Sequence, residues 1–129
     1  MPAFNFRKKF AEKVERGEKF QTIRKRRKDG RNPKAGQTAY LYFGMRTKAC
    51  RKLGEGVITS AEPIYIDRNG LFIDIVVGAN YLGHYEKVEL SRADGFKSFH
   101  EMMQWFEKTH GLPFYGFLIK WNGPTERDR

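Results

Sequence analysis

The sequence predicts a small α+β domain, and three patterns carry that prediction. Strand-period stretches occupy residues 39–43, 55–66, 71–77 and 114–121, an Asn69-Gly70 pair separates two of them, and four-residue apolar spacing marks a helix near each end. With 129 residues the chain has room for one domain of ordinary size, here taken as 1–122, followed by a tail at 123–129 that has nothing to bury and should fray.

Phe6, Phe10 and Val14 recur every fourth residue between Asn5, a candidate cap, and Gly17, a candidate terminator, so a first helix is expected there. Pro33-Lys34-Ala35-Gly36-Gln37 reads as a turn. Ala39, Leu41 and Phe43 then alternate with Tyr40 and Tyr42, giving a strand with one apolar and one aromatic-polar face. Residues 55–66 and 71–77 are rich in Val, Ile and Phe, and Asn69-Gly70 suits the positive φ of a tight hairpin turn. Ser98 and Glu101 have capping-box spacing, ahead of a helical face made by Phe99, Met102, Met103 and Phe106. Those Met and aromatic residues read as core, and His110 as a cation at the helix end. The last strand, 114–121, is apolar on both faces and belongs inside the sheet.

Charge is concentrated. Arg24, Lys25, Arg26, Arg27, Lys28, Arg31 and Lys34 surround the lone acid Asp29, and Arg46, Lys48, Arg51 and Lys52 form a second cluster with no acid among them. These two segments account for the entire net charge of +10, since the remaining bases and acids cancel. Such focusing favours a polyanionic partner, although a solvated loop or a dock for an acidic protein surface has the same composition. RNA or another single-stranded nucleic acid is the expected partner. Arg24 is suited to anchoring a phosphate or carboxylate through its planar fork, and Tyr40, Tyr42 and Tyr81 are candidates for stacking on an unpaired base.

Other classes are disfavoured. No apolar run reaches the ~20 residues that span a bilayer, so no membrane partner is expected. The start of the chain lacks the apolar stretch of a secretory signal, which places the protein in a cytoplasm. Cys50 is the sole cysteine, and His84, His100 and His110 are scattered without zinc spacing, so neither a metal nor another cofactor is expected.

Gly17-Glu18-Lys19-Phe20-Gln21-Thr22-Ile23-Arg24 resembles the Gly-x-Lys-x-x-Thr-x-Arg signature of the ASCH domain, a small β-barrel related to the PUA domains of RNA-modifying enzymes. Pro33-Lys34-Ala35-Gly36-Gln37 is similar to that family's turn before its next strand. Ala93-Asp94-Gly95-Phe96, with the helix and apolar strand that follow, is similar to its C-terminal portion. The resemblance implies a PUA-like barrel with flanking short helices and RNA binding. One branch hydrolyses the acetyl amide of acetylcytidine with a Lys, a Thr and a Glu. By resemblance, Lys19 matches the lysine that takes a proton, Thr22 the threonine nucleophile, and Asp94 the position of the glutamate proton donor.

Asp94 departs from that pattern by one methylene, and a misplacement of about 1 Å can reduce a geometry-dependent rate roughly a hundredfold. A threonine hydroxyl also needs a base, and Lys19 can serve only if burial or neighbouring cations disfavour its ammonium form. Strand alternation would put Lys19 and Thr22 on opposite faces, so the pair requires a bend between them. The ordinary alternative makes Lys19 a surface residue, Thr22 a β-former and Asp94 a turn residue. The sequence therefore supports a nucleic-acid-binding module with a nucleoside-sized pocket, and beside it a hydrolase acting on a modified pyrimidine nucleoside or on RNA phosphodiesters. It leaves the oligomeric state open.

Overall fold

A computed structural model describes residues 2–122; the expected fraying tail lies outside the described residues. The fold is α+β, with seven strands in one hydrogen-bonded sheet and three helices among those residues. The strands are β1 (Ala3–Phe6), β2 (Gln21–Lys25), β3 (Thr38–Phe43), β4 (Arg51–Asn69), β5 (Phe72–Val77), β6 (Asn80–Tyr81) and β7 (Phe114–Asn122). The helices are α1 (Lys8–Glu15), α2 (His84–Ala93) and α3 (Phe99–Thr109).

The pairing runs β1-β3-β4-β5-β6, with β7 against both β4 and β2. Among the described residues this sheet does not close, which corrects the expected barrel. Three strands have one neighbour each: β1 only β3, β6 only β5, and β2 only β7. With two residues, β6 is also too short to carry a closing ladder.

The chain groups into two compact units. The first gathers the chain through Gln21, Pro33–Ala61 and the chain from Ile119; the second gathers Thr22–Asn32 and Glu62–Leu118.

In the first unit, β1 pairs parallel to β3, setting Phe4 beside Leu41 and Phe6 beside Phe43. Phe6 is thus a strand residue, and α1 begins at Lys8 with Arg7 as a cap whose side chain does not cap the helix. Asn5, the expected cap, instead accepts a hydrogen bond from Met45 N at 3.0 Å. Phe10 and Val14 are buried as their spacing requires. Ala39 and Leu41 are fully buried on β3, while Tyr40 and Tyr42 are half-buried.

In the second unit, β4 and β5 form the expected hairpin, with Asn69 opposite Phe72. The turn is Gly70-Leu71, one residue later than expected. Gly70 takes φ +63° and Asn69 stays in the strand, as a turn with glycine first requires. Helix α3 buries Met102, Met103 and Phe106. Ser98 Oγ accepts from Glu101 N at 3.0 Å, and the Glu101 carboxylate reaches Lys97 N at 2.9 Å, one residue before the box partner. Helix α2 was not expected: it buries only Leu90 and Ser91, so no apolar stripe announces it.

Strand β7 lies inside the sheet as expected, and its buried face changes phase. Phe114, Gly116 and Leu118 are buried, then Ile119 and Trp121. A side chain at Gly116 would put its Cβ 2.2 Å from Arg24 O and 2.8 Å from the Phe114 ring, so only glycine admits this approach of β2 to β7. No helix among the described residues is long and apolar enough to cross a membrane.

Candidate nucleic-acid interface

In the second unit, β2 delivers its basic end to the start of β7. Arg26 N donates to Tyr115 O at 3.1 Å, and the Arg26 guanidinium lies 5.5 Å from the centre of the Tyr115 ring. The main chain thereby places Lys25, Arg26, Arg27 and Lys28 around a cavity of about 410 Å³, completed by His110, Pro113, Phe114 and Tyr115. Four cations line it and, among the described residues, no carboxylate does. The rest of the lining is largely aromatic: the His110 ring sits 5.1 Å from that of Phe114, and it also lies 5.6 Å from the Phe106 ring, which is not part of the lining. His110 is thus both the cap residue of α3 and a lining group.

Beyond the cavity the basic loop is folded rather than trailing. Asp29 accepts from Arg27 Nε at 3.1 Å, from the Arg27 Nη2 at 2.8 Å and from Arg31 N at 2.9 Å, while Asn32 Oδ1 accepts from Arg27 N at 2.9 Å. The bond to Arg27 holds the Asp29 carboxyl below its ordinary range and raises the guanidinium above its own. The only acid of the run therefore neutralises Arg27 and shapes the loop. Arg31 is exposed beside it.

The second basic cluster lies in the first unit and is differently placed. Arg51 pairs with Glu15 at 2.5 Å, and Lys52 pairs with Glu55 and sits 5.8 Å from the centre of the Tyr40 ring. These cations lack acids only in their own stretch of sequence. Arg46 and Lys48 remain exposed on a turn that Thr47 closes by donating to Gly44 O at 2.6 Å. Lys34, also exposed, belongs to this unit.

The proposed catalytic residues are all inside. Thr22 and Asp94 are 5 % exposed and Lys19 2 %. Thr22 and Arg24 share a face of β2, two residues apart, and Arg24 Nε donates to Thr22 Oγ1 at 2.9 Å. Burial pulls the half-buried Arg24 guanidinium down to about 10, partly offset by the Asp94 charge. Asp94 itself closes α2, its N–H donating to Leu90 O at 3.0 Å. A guanidinium bonded to a hydroxyl oxygen stabilises an alkoxide more than the alcohol, so the arrangement can acidify Thr22.

Lys19 belongs to the first unit, with its ammonium 5.0 Å from the Phe10 ring centre and 5.9 Å from that of Phe6. It precedes β2 rather than sitting in it, and Gln21, Thr22 and Ile23 are buried in succession, so strict alternation does not govern this segment.

Of the stacking candidates, Tyr40 and Tyr42 are half-buried, and Tyr81 stands on the edge strand β6, 73 % exposed. The sequence reading overlooked Tyr115, 48 % exposed, whose ring also lies 4.9 Å from that of Tyr65. Sharing the strand period of Phe117, Ile119 and Trp121, Tyr115 gave no sign that it faces outward, since the buried face of β7 changes phase only in the fold. Among the described residues no group of three or more His, Cys, Asp or Glu is placed to hold a metal ion. No protein-family model, curated protein or solved structure matches the chain.

Proposed function

We propose that this protein is an ASCH-type nucleic-acid-binding module that grips RNA or another single strand through the basic cavity of its second unit. One observation carries the reading: four consecutive cations line a cavity of about 410 Å³ with no carboxylate of the described residues among its walls. A phosphodiester backbone supplies the anions such a cavity lacks, and releases counterions when bound. The resemblance of residues 17–24 to the ASCH signature supports the same class. A cytoplasmic location suits it.

The test is a salt titration. Binding of a labelled single-stranded RNA, followed by fluorescence anisotropy, should weaken with a log–log slope near −2 to −3 when three or four of these cations each neutralise a phosphate along the strand, at about 0.7 per phosphate. Affinity unchanged between low and physiological salt removes the phosphate grip. Excess RNA should also displace any acidic protein from this surface.

A hydrolase reading is favoured by the Arg24–Thr22 hydrogen bond beside the Asp94 charge. Its substrate would be the acetyl amide of a modified pyrimidine nucleoside or an RNA phosphodiester, and it requires substrate to reach the Thr22 hydroxyl. Amide hydrolysis should be lost in Thr22→Ala with RNA affinity retained, whereas phosphodiester cleavage should survive that change. No product from acetylcytidine or from RNA leaves the binding module alone.

A further inference from the structure

The basic cavity shares a wall with a second one, because Arg26 and Tyr115 line both. The smaller measures about 160 Å³ and is otherwise walled by apolar and aromatic groups, among them Tyr65, Val76 and Phe117. A cavity of roughly 150 Å³ holds a benzene-sized ring, so this one suits a single flat heterocycle. Gly116 adds no side chain to it, and the Tyr65 and Tyr115 rings meet at 4.9 Å with a 47° tilt. Tyr65 Oη donates to Asp67 Oδ2 at 2.9 Å, which fixes one ring before any ligand arrives.

We infer that the smaller cavity is a base subsite. An unpaired nucleobase packs there against Tyr115 and Tyr65 and beside the Arg26 guanidinium, while its adjoining phosphate lies in the larger cavity with Lys25, Arg27 and Lys28. The subsite rests on the nucleic-acid reading above and adds the part that reading leaves out, namely which residues take the base. Arginine planes and aromatic rings are the two platforms on which unstacked bases settle, and both line the smaller cavity. A base held in a duplex must be unpaired and unstacked before it can enter, and that cost makes the protein prefer single strands. Stacking of this kind tolerates any base, and the preference is for strandedness rather than sequence.

The test uses the full-length protein and three ligands: a 12-residue single-stranded RNA, the same strand made abasic, and an RNA duplex of equal length. The wild type should bind the intact strand about 10-fold more tightly than the abasic one, the stacking of one base being sufficient for that factor. A 2-aminopurine in the strand should lose fluorescence on binding. Tyr115→Ala, and Val76→Trp which fills the cavity without touching a charge, should each lower affinity for the intact strand about 10-fold, leave the salt slope unchanged and restore the fluorescence. Equal wild-type affinity for intact and abasic strands, with unquenched 2-aminopurine, overturns the subsite even if neither variant folds. If salt-dependent binding persists in that case, the phosphate grip stands without it. Absence of salt-dependent binding to any of the three ligands overturns both.

Discussion

The two basic segments look alike in sequence and differ in the folded chain. At 46–52, Arg51 is held by Glu15 and Lys52 by Glu55, which leaves Arg46 and Lys48 projecting from a turn. At 25–28, Arg27 alone meets an acid among the described residues, and all four cations line a cavity. Net charge therefore measures what a segment contains, and the fold decides how much of it a ligand can meet. Acids outside the stretch, Glu15 far from Arg51 in sequence and Glu55 three residues after Lys52, consume half of one cluster. The nearby Asp29 instead organises the other, since its bonds to Arg27 and to Arg31 N close the loop.

The sharpest way to break this contrast is to delete each cluster. Replacing Lys25, Arg26, Arg27 and Lys28 together by glutamine should lower affinity for single-stranded RNA about 100-fold at low salt and flatten the salt slope by about 2. The same change at Arg46, Lys48, Arg51 and Lys52 should lower it less than about 5-fold. Equal losses in an anisotropy titration would mean that both clusters meet the ligand.

A smaller effect tests the role given to Asp29. Asp29→Asn keeps the loop's acceptor for Arg31 N and removes the charge facing Arg27, so RNA affinity should rise about 3-fold at low salt. A tenfold fall would instead show that loop order outweighs charge. Glu15→Gln should release Arg51, raise RNA affinity by no more than about 2-fold, and lower stability by about 0.2–1 kcal/mol in urea denaturation, the range for surface ion pairs.

The smallest effect is a pH dependence. The bond to Asp67, with burial and the Asp67 charge behind it, pushes the Tyr65 phenol up to about 12 from its ordinary 10. The folded state holds that proton more tightly, so the contribution is complete below pH 10 and is lost as pH rises through 12. Between those values the denaturation midpoint of the wild type should fall more steeply than that of Tyr65→Phe. Parallel curves would show that Tyr65 titrates alike in folded and unfolded chains.

What the sequence discloses follows from how local each cause is. Strand β3, the β4–β5 hairpin and α3 were legible because their apolar periods and their Ser and Gly punctuation lie within the element. Strand β1 was missed because Phe6 stands four residues before Phe10 and reads as helix, while only pairing with β3 makes it a strand. Helix α2 has no apolar stripe to read. The open sheet was hidden for a related reason, since closure depends on which strands find second neighbours.

At the candidate interface the same rule holds. The excess of cations was plain in composition, whereas the pairing of Arg51 with Glu15 joins residues 36 apart. The stack of Arg26 on Tyr115 depends on how β2 meets β7, which no local pattern encodes. Lys19, Thr22 and Asp94 were found by resemblance, and their burial is a property of packing.

The bond from Arg26 N to Tyr115 O ties the loop down by its main chain. Almost any amino acid can offer that same amide, so the tip of residue 26 can be exchanged for another while the segment keeps its mooring. Proline, which has no N–H, is the exception. A ligand preference tuned at this position can thus drift through many substitutions without the architecture noticing.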